Sequence, residues 1–405
     1  MDEASQRMLD WIAAQHGRML EQLIDYASLN TWTFNPAGIT ALTERINRNT
    51  HDIGGERFLQ QVWPFEQLDA RGHTQSRPLG PVFLISHNPQ ARRRALLCIH
   101  LDTVYPPSPS AQPVQTDAQG RLLGPGVADA KGGLVVMLTA VEAFIRTPFA
   151  KDYGLEIVLN PDEEIGSPGS GNILADVAKR CEVGLLYEPA MPDGSLVDRR
   201  RGSGNFAIVL HGKAAHTGRD FAAGRSAMLA AAQLTVALHG LNEKLPGVSV
   251  NVGSIDGGGP ANVVADLAIC RVNVRTSEPA DEATVRAAML QMLDAISATG
   301  IIAEIQGGFA SPPKIPDARG SALLAAAVAC GSELGLNLSL RPSGGACDGN
   351  RLAAQGLVNI DTLGVRGGEI HSPGEFMIPA SLVERAQLSA LLLVKLAAGE
   401  IPLGG

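Results

Sequence analysis

The sequence has few cysteines, and none of them are paired at a metal-binding spacing. Its five cysteines are an odd number, they lie far apart among 405 residues, and no C-x-x-C pair occurs. A disulfide framework and a structural zinc knot are therefore not indicated. We expect the chain to fold through its hydrophobic cores instead.

Long runs of one charge and long apolar runs are also missing. Lysine and arginine total 33 against 41 acids, a formal net charge of -8, which disfavours a surface built to wrap nucleic acid. Apolar stretches such as LVVMLTAVEAFI are too short or too interrupted to span a bilayer. The beginning, MDEASQRMLDWIAAQHGRMLEQLIDYASL, is typical of one amphipathic helix and lacks the basic start of a signal peptide. We expect a cytoplasmic enzyme with no nucleic-acid or membrane partner.

The length and the 45% apolar content are enough for two domains. From about residue 80, strand-like runs (PVFLISH, ALLCIHL, LEIVLN, EVGLLYEP) alternate with helical ones, which predicts an α/β layer with a mixed, mostly parallel sheet flanked by helices. After Glu188 the order becomes βαββαβ, the pattern of a ferredoxin-like α+β unit. SPPKIPDARG then reads as a linker. The predicted catalytic domain is 1–200 and 311–405, and the predicted inserted domain is 201–310.

Five short segments with acids or histidines follow predicted strands or lie in loops, where open α/β sheets bind their ligands. In CIHLDTV, His100 and Asp102 project to the same face of a strand, so the carboxylate can fix the tautomer of a metal-bound imidazole. In GPGVADAKGG, Asp129 lies in a glycine-rich loop just before a helix. Each has an ordinary structural alternative, solvation of a strand end for the first and a helix N-cap for the second.

The other three segments are more acidic or lie closer to the end of the chain. LNPDEEIGSPGS contains Asp162, Glu163 and Glu164 in a row, and adjacent carboxylates repel unless cations or protons compensate. Consecutive residues at a strand end point in different directions, so one glutamate can bind metal while the other acts as a base. Glu188 ends a buried run and needs a partner, and His371 lies in the Gly/Pro loop GEIHSPGEF.

Together these segments supply oxygen and imidazole ligands without a thiolate. Such a set suits zinc, manganese or cobalt at an open catalytic site. Three carboxylates and a hydroxide balance two divalent cations, whereas a single ion leaves too many acids unpaired. Asp129 is the best-placed bridging ligand, and a bridge holds two ions about 3.5 to 4 Å apart. The predicted ligands are His100, Asp129, Glu164, Glu188 and His371.

The motifs resemble the family of metal-dependent amidohydrolases that includes glutamate carboxypeptidase, acetylornithine deacetylase, succinyl-diaminopimelate desuccinylase and aminoacylase. HLDTV, GPGVADAKGG, DEEIGS, YEP and EIHSPGE stand in the family's order, and the βαββαβ unit matches its lid or dimerisation domain. The resemblance implies that Asp129 bridges two metals, that His100 and Glu188 complete one site, and that Glu164 and His371 complete the other. It also implies that Glu163 is the general base and that Asp102 is the carboxylate behind the metal ligand His100.

The resemblance further implies roles for residues that their sequence context alone does not single out. His216 in HGKAAHTG resembles the histidine that reaches the active site of a neighbouring subunit and polarises the scissile carbonyl. Asn262 and Arg275 resemble groups that contact the substrate's carboxylate. SGGACDGN, which contains Gly345, resembles a substrate loop whose backbone N–H groups hold a carboxylate. Cys347 stands where a small hydroxyl residue is common, and we interpret it as a small buried side chain.

Three functions compete. The favoured one is a di-zinc carboxypeptidase of the glutamate carboxypeptidase type, with cobalt or manganese as alternative ions. It would act on a small peptide or N-acyl amino acid as a homodimer formed through the inserted domain. An N-acyl-amino-acid deacylase or dipeptidase of the same family uses identical metal chemistry. A non-catalytic metal or small-molecule binding protein is the third, but it fits a chain that has lost Glu163 or a ligand, and neither is lost here.

Overall fold

A computed structural model of the chain describes residues 2–108 and 113–403. Its helices are α1 Glu3–Ala13, α2 His16–Ala27, α3 Pro36–Asn49, α4 Lys131–Ile145, α5 Gly171–Ala178, α6 Ala227–His239, α7 Leu241–Lys244, α8 Pro279–Ser297, α9 Ala318–Glu333, α10 Asp348–Ala354 and α11 Ser381–Ala397. None of the helices in these two stretches is long and apolar enough to cross a membrane.

The strands are short except in the two main sheets. They are β1 Glu56–Gln60, β2 Phe65–Leu68, β3 Thr74–Arg77, β4 Val82–His87, β5 Arg93–His100, β6 Gln115–Thr116, β7 Leu122–Leu123, β8 Tyr153–Asn160, β9 Val183–Leu186, β10 Leu196–Arg200, β11 Gly202–His211, β12 Ser249–Gly257, β13 Leu267–Thr276, β14 Ile302–Ser311, β15 Leu340–Ser343, β16 Asn359–Ile360, β17 Gly367–Gly368 and β18 Phe376–Met377.

A six-stranded sheet in the order β1-β4-β8-β5-β9-β16 forms the centre of the larger part of the molecule. β8, β5, β9 and β16 are parallel, while β4 is antiparallel to β8 and β1 is antiparallel to β4. Alternate side chains of β5 enter two cores: Leu97 and Ile99 face the core that includes α4 and α11, and Leu96 and Cys98 face α5 and α10. The predicted mixed, mostly parallel sheet flanked by helices is confirmed.

A second, four-stranded antiparallel sheet in the order β12-β13-β11-β14 has its own hydrophobic core. On β11, Phe206, Ile208 and Leu210 face this core, which also contains the apolar side chains of α6 and α8. The strands and helices follow one another as βαββαβ, with the short α7 before β12, and the strand order is that of a ferredoxin-like unit.

The chain passes between the two sheets at two adjacent points. Arg200 and Lys314 pair backbone to backbone there, with each N–H donating to the other's carbonyl at 3.0 Å. Lys314 is buried and its Nζ lies 2.6 Å from Asp361 Oδ2. The segment that reads as a linker is therefore packed rather than free, and α9 begins within it at Ala318. We propose these two crossings as the domain boundaries.

A β-hairpin makes a third contact between the two parts. It consists of β2 and β3, and its Leu68 packs on Val209 and Ile269, on the face of the four-stranded sheet opposite α6 and α8. Arg271 Nη2 donates to the Leu68 carbonyl at 2.7 Å. The small sheet therefore contacts the larger part through this hairpin as well as through the chain crossings.

The prediction of one continuous N-terminal helix is wrong. The chain forms α1 and α2 with a break between them, where the Gln15 N–H donates to the Ile12 carbonyl at 2.9 Å. Ile12 in α1 and Leu23 in α2 are both fully buried. Two shorter helices bury both apolar faces in one core, and burial of apolar surface outweighs the backbone bonds lost at the break.

Candidate active site

The candidate site lies at the carboxyl edge of the six-stranded sheet. β5 ends at His100, β8 ends just before the acidic run, and β9 ends just before Glu188. These three strands are parallel neighbours, so their following residues meet at one edge. Asp129 joins them from the loop before α4, which begins at Lys131 as the glycine-rich motif predicts.

Asp129 lies at the centre of the acids and imidazoles. Its Oδ1 is 3.0 Å from His100 Nε2, which is also 3.7 Å from Glu188 Oε2. Its Oδ2 is 3.2 Å from His371 Nε2, which is 3.0 Å from Glu164 Oε2. The two oxygens of Asp129 thus contact two separate groups, and ligand atoms of His100, Asp129 and Glu164 lie within 4.8 Å of one another.

The electrostatics of this cluster suit added positive charge. Burial raises the pKa of Glu164 to about 7, with the charge of Asp129 adding to the effect, and Glu164 Oε1 is buried without a hydrogen-bond partner in the described residues. Hydrogen bonds to Asp129 and Glu164 raise the pKa of His371 to about 10. Burial opposes charge on His100, but Glu188, Asp102 and Asp129 hold its pKa well above the usual value. Carboxylates and imidazoles that compete for protons in this way fit a site for divalent cations.

Asp102 orients the side chains around it. It is fully buried, and His100 Nδ1 lies 3.0 Å from its backbone oxygen and 3.3 Å from its Oδ1. Oδ1 accepts the Glu163 N–H at 3.1 Å, and Oδ2 accepts the Glu164 N–H at 3.2 Å. Thr33 Oγ also donates to Oδ2, at 2.7 Å. One carboxylate therefore fixes the imidazole and the backbone of both glutamates.

The three consecutive acids Asp162, Glu163 and Glu164 have different surroundings. Glu163 opens a 3-10 turn after β8, and burial raises its pKa well above the usual value, followed by repulsion from Glu188. Asp162 turns away and accepts the N–H groups of Gly169 and Ser170 at 2.6 and 3.2 Å. Asp162 therefore stabilises the loop that follows, while Glu164 contacts His371 and Glu163 experiences the charges of Glu188 and His100.

Sequence reasoning missed Glu375, which lies four residues after His371. Pairing of β18 with β7 brings it to the loop before α4, where it is almost fully buried. Its Oε1 accepts the N–H groups of Ala128 and Asp129 at 2.9 and 3.0 Å, and its Oε2 accepts the Gly126 N–H at 3.1 Å and the Tyr105 hydroxyl at 2.7 Å. The only signal in the sequence is an acid at the end of HSPGE.

Asp348 was also missed, and it supports the loop that contains Gly345. Its Oδ2 accepts Asn160 Nδ2 at 2.7 Å, and its Oδ1 accepts Ser167 Oγ at 2.5 Å. Cys347 is buried, and its Sγ accepts the Gly349 N–H at 3.3 Å at the start of α10. Asp348 thus ties α10 to the end of β8.

The four predicted substrate-contacting residues form no hydrogen bond or ion pair with the candidate ligands in the part of the chain that the structure describes. His216 and Asn262 are exposed neighbours in the loops after β11 and β12 of the four-stranded sheet, the proposed small domain, and the Thr217 N–H donates to the Asn262 carbonyl at 3.0 Å. Arg275 is half-buried on β13, and the exposed Gly345 accepts Arg200 Nη1 at 3.2 Å.

Comparison with known proteins identifies the family. The model of peptidase family M20/M25/M40 matches residues 96–395. The chain belongs to this family. The resemblance inferred from the five motifs is thereby confirmed, and membership of the M20/M25/M40 family makes the chain a metal-dependent peptidase or amidohydrolase.

Members of the M20/M25/M40 family align with most of the chain. Carboxypeptidase G2 of Pseudomonas sp. (strain RS-16) is 27% identical over 317 residues, which are 76% of this chain and 75% of that protein. A succinyl-diaminopimelate desuccinylase of Psychrobacter sp. (strain PRwf-1) is 28% identical over 293 residues, 69% of this chain and 72% of that protein. The solved structure of the Bacillus subtilis YXEP protein, described as a dinuclear metal binding peptidase, superimposes with a TM-score of 0.65 at 17% identity and covers 95% of this chain and 99% of that one.

Proposed function

We propose that the chain hydrolyses the amide or peptide bond next to a C-terminal amino acid, as glutamate carboxypeptidases do, with two divalent metal ions, zinc first. The observation that carries the proposal is the division of the two Asp129 oxygens between two groups of ligands. His100 and Glu188 would hold one ion, Glu164 and His371 the other, and Asp129 both. Two such ions, when bound, polarise the scissile carbonyl and lower the pKa of water.

Glu163 is the proposed proton carrier. It takes a proton from the attacking water and passes it to the leaving amine as the bond breaks. A carboxyl group whose pKa is raised, as burial does here, can hold that proton between the two steps. Asp102 keeps Glu163 in place through its backbone N–H. Because Asp102 also contacts His100, it fixes the position of the proposed base relative to one of the proposed ligands.

Substrate recognition is assigned to the small domain and the glycine-rich loop. Arg275, Asn262 and the backbone around Gly345 supply the cationic and N–H donors that an α-carboxylate needs. An N-acyl-amino-acid deacylase or dipeptidase would use the same catalytic groups, and the similarity to a desuccinylase supports that alternative. Binding without catalysis is disfavoured because the candidate base and all five candidate ligands are present.

We also propose a homodimer formed through the small domain. Leu229 and Val236 are 59% and 75% exposed on one face of α6, with the exposed Ala232 between them. This spacing gives an apolar stripe that a second copy of the chain would cover. His216 would then act on the partner subunit. This fits its exposure and the lack of any hydrogen bond between it and the candidate ligands of its own chain in the described residues. A cytoplasmic location stays a prediction of the sequence.

Metal content and a base-deficient variant test the hydrolase proposal. Elemental analysis should find about two zinc ions per chain, and a chelator should abolish release of amino acid from N-acyl and peptide substrates. Glu163→Gln should keep both ions yet lose about 10²-fold or more in kcat, because a positioned base contributes at least that much. Glu21→Gln, an exposed change on α2, is the matched control. Unchanged kcat in Glu163→Gln would exclude the mechanism.

Mixing two inactive variants tests the dimer. His216→Ala lacks the proposed carbonyl-polarising group, and Glu163→Gln lacks the base. If His216 acts on the partner, random mixing of equal amounts restores about a quarter of wild-type activity, because half of the dimers are mixed and each has one complete site. A mixture that stays inactive although light scattering shows mixed dimers contradicts action across the interface.

A further inference from the structure

An arginine packed against aromatic rings lies near the candidate site and has no role in the proposed chemistry. Arg77 Cζ is 3.5 Å from the centre of the Phe34 ring and 5.0 Å from that of Trp32. Trp32 and Phe34 meet edge to face at 5.3 Å, and Phe65 lies 5.9 Å from Phe34. All four side chains are half-buried. We call these residues the Arg77 cluster.

The Arg77 cluster is adjacent to the backbone of the catalytic strand end. Trp32 pairs with Thr103, the residue after Asp102, and the Thr33 N–H donates to the Thr103 carbonyl at 3.2 Å. Between the two aromatic residues, Thr33 Oγ donates to Asp102 Oδ2. Paired strands lie about 4.8 Å apart, so the cluster is one strand away from the residue that holds His100 and the two glutamates.

The Arg77 cluster also lies on the side of the catalytic part that contacts the small domain. Phe65 and Arg77 face each other across the base of the β2–β3 hairpin. The same hairpin contacts Ile269 of the small sheet through Leu68, three residues after Phe65. The cluster is therefore between the catalytic strand end and the small domain, where an elongated substrate would extend from the scissile bond.

Arg77 has no anionic partner among the described residues, unlike Arg200 and Arg271 near the same junction. Arg200 lies 2.9 Å from Asp361, and Arg271 lies 2.9 Å from Asp256. The Arg77 guanidinium makes no ion pair or hydrogen bond with the residues that the structure describes, although the side chain is half-buried. A guanidinium stacked on rings keeps its N–H groups free at its edge, the geometry that binds a carboxylate through two hydrogen bonds.

We propose that the Arg77 cluster binds a carboxylate on the acyl side of the scissile bond, so that preferred substrates are amino acids whose N-acyl group is itself an acid. The inference rests on the proposed function. It concerns residues outside the part that matches the family, residues 96–395. Trp32 and Phe34 hold the guanidinium in place, and Arg77 supplies the charge that selects the acidic acyl group.

Matched substrates test the charge directly. N-succinyl-L-alanine and N-butanoyl-L-alanine differ in the terminal carboxylate. For Arg77→Met, kcat/KM should fall about tenfold or more with the succinyl substrate, through KM, and stay within about twofold with the butanoyl substrate. Arg77→Lys should recover part of the loss because it keeps the positive charge. The recovery is incomplete because lysine lacks the paired N–H donors of a guanidinium. Arg92→Met, an exposed change in the turn before β5, is the control.

Equal losses on both substrates would mean that Arg77 only holds the hairpin, and no loss on either would mean that it faces no substrate; both outcomes overturn the proposal. Calorimetric binding of glutarate to the zinc-loaded protein separates this test from hydrolysis, with butanoate as the single-carboxylate control. We expect Arg77→Met to weaken glutarate about tenfold and butanoate hardly at all. If Arg77→Met weakens glutarate binding in this way but the wild type hydrolyses none of the substrates, the proposed function alone is refuted. If the protein hydrolyses its substrates but Arg77→Met binds glutarate as tightly as the wild type does, the Arg77 inference alone is refuted.

Discussion

Replacing Glu375 by glutamine should weaken metal binding although Glu375 is not a proposed ligand. Its two oxygens accept three backbone N–H groups and the Tyr105 hydroxyl. In Glu375→Gln, one oxygen becomes an NH₂ group, which cannot accept any of these donors. One side of the anchor therefore loses its hydrogen bonds, and at least one N–H donor is left facing another donor.

The size of the effect follows from those bonds. A hydrogen bond to a charged acceptor contributes about 1.5–3 kcal/mol, and leaving a buried donor unsatisfied costs about 1–3 kcal/mol. We expect Glu375→Gln to lower the free energy of unfolding by about 2–4 kcal/mol. The strain falls on the backbone of Asp129, the proposed bridging ligand. Loss of such a supporting contact typically costs about 10–100-fold in metal affinity.

Zinc affinity should be measured by competition with a chromophoric chelator, and stability by urea denaturation. The matched control is Glu182→Gln, because Glu182 also accepts a tyrosine hydroxyl, from Tyr153 at 2.9 Å, but lies at the opposite end of the sheet. We expect that control to lose stability and keep its zinc affinity. If both variants bind zinc as the wild type does, or both weaken equally, Glu375 does not position Asp129.

Two further predictions concern other buried contacts. Asp361→Asn leaves the buried Arg200 and Lys314 without their carboxylate. We therefore expect urea denaturation at pH 7 to show a free energy of unfolding lower by about 3–5 kcal/mol. The control, Asp317→Asn, changes an exposed residue and should alter the free energy of unfolding little. Burial opposes ionisation of Asp361, but the two cations hold its pKa well below the ordinary value of 3.8. Its contribution is therefore present above that pH and is lost as the pH falls below it, so the difference between the variant and the wild type should shrink below about pH 4; a constant difference would contradict this. Thr33→Val removes the hydroxyl donor to Asp102, and we expect kcat to fall with zinc content unchanged, whereas Thr50→Val, which removes a bond to a helix carbonyl, should leave kcat as it is.

The central fold was predictable because its signals are periodic and local. The helix that begins at Lys131 follows a glycine-rich motif and continues for fifteen largely apolar residues. The strands that end before Glu163 and Glu188 are short apolar runs of the kind that parallel sheets bury. Once those strands are neighbours, the acids after them must meet, so the cluster of candidate ligands follows from chain order and sheet geometry.

What could not be predicted depends on contacts between distant segments. Glu375 bonds backbone N–H groups almost 250 residues earlier, and a glutamate in a Gly/Pro loop is ordinarily solvated. Trp32 and Phe34 lie in an irregular segment with no periodicity to read. The break between α1 and α2 falls at Ala14 and Gln15, and neither residue is a helix breaker such as proline or glycine. Tertiary packing decides the break, so local sequence could not predict it.

The β2–β3 hairpin has a mechanical consequence for any movement of the four-stranded sheet relative to the catalytic part. Its Leu68 is packed on the small sheet while Phe65 and Arg77 remain with Trp32 and Phe34 on the catalytic side. A rigid-body rotation of the small domain must therefore either break the apolar contact at Leu68 or pull the hairpin with it. In the second case Arg77 moves relative to the Trp32 and Phe34 rings, and the proposed recognition of the acyl group would then be coupled to the movement that releases the product.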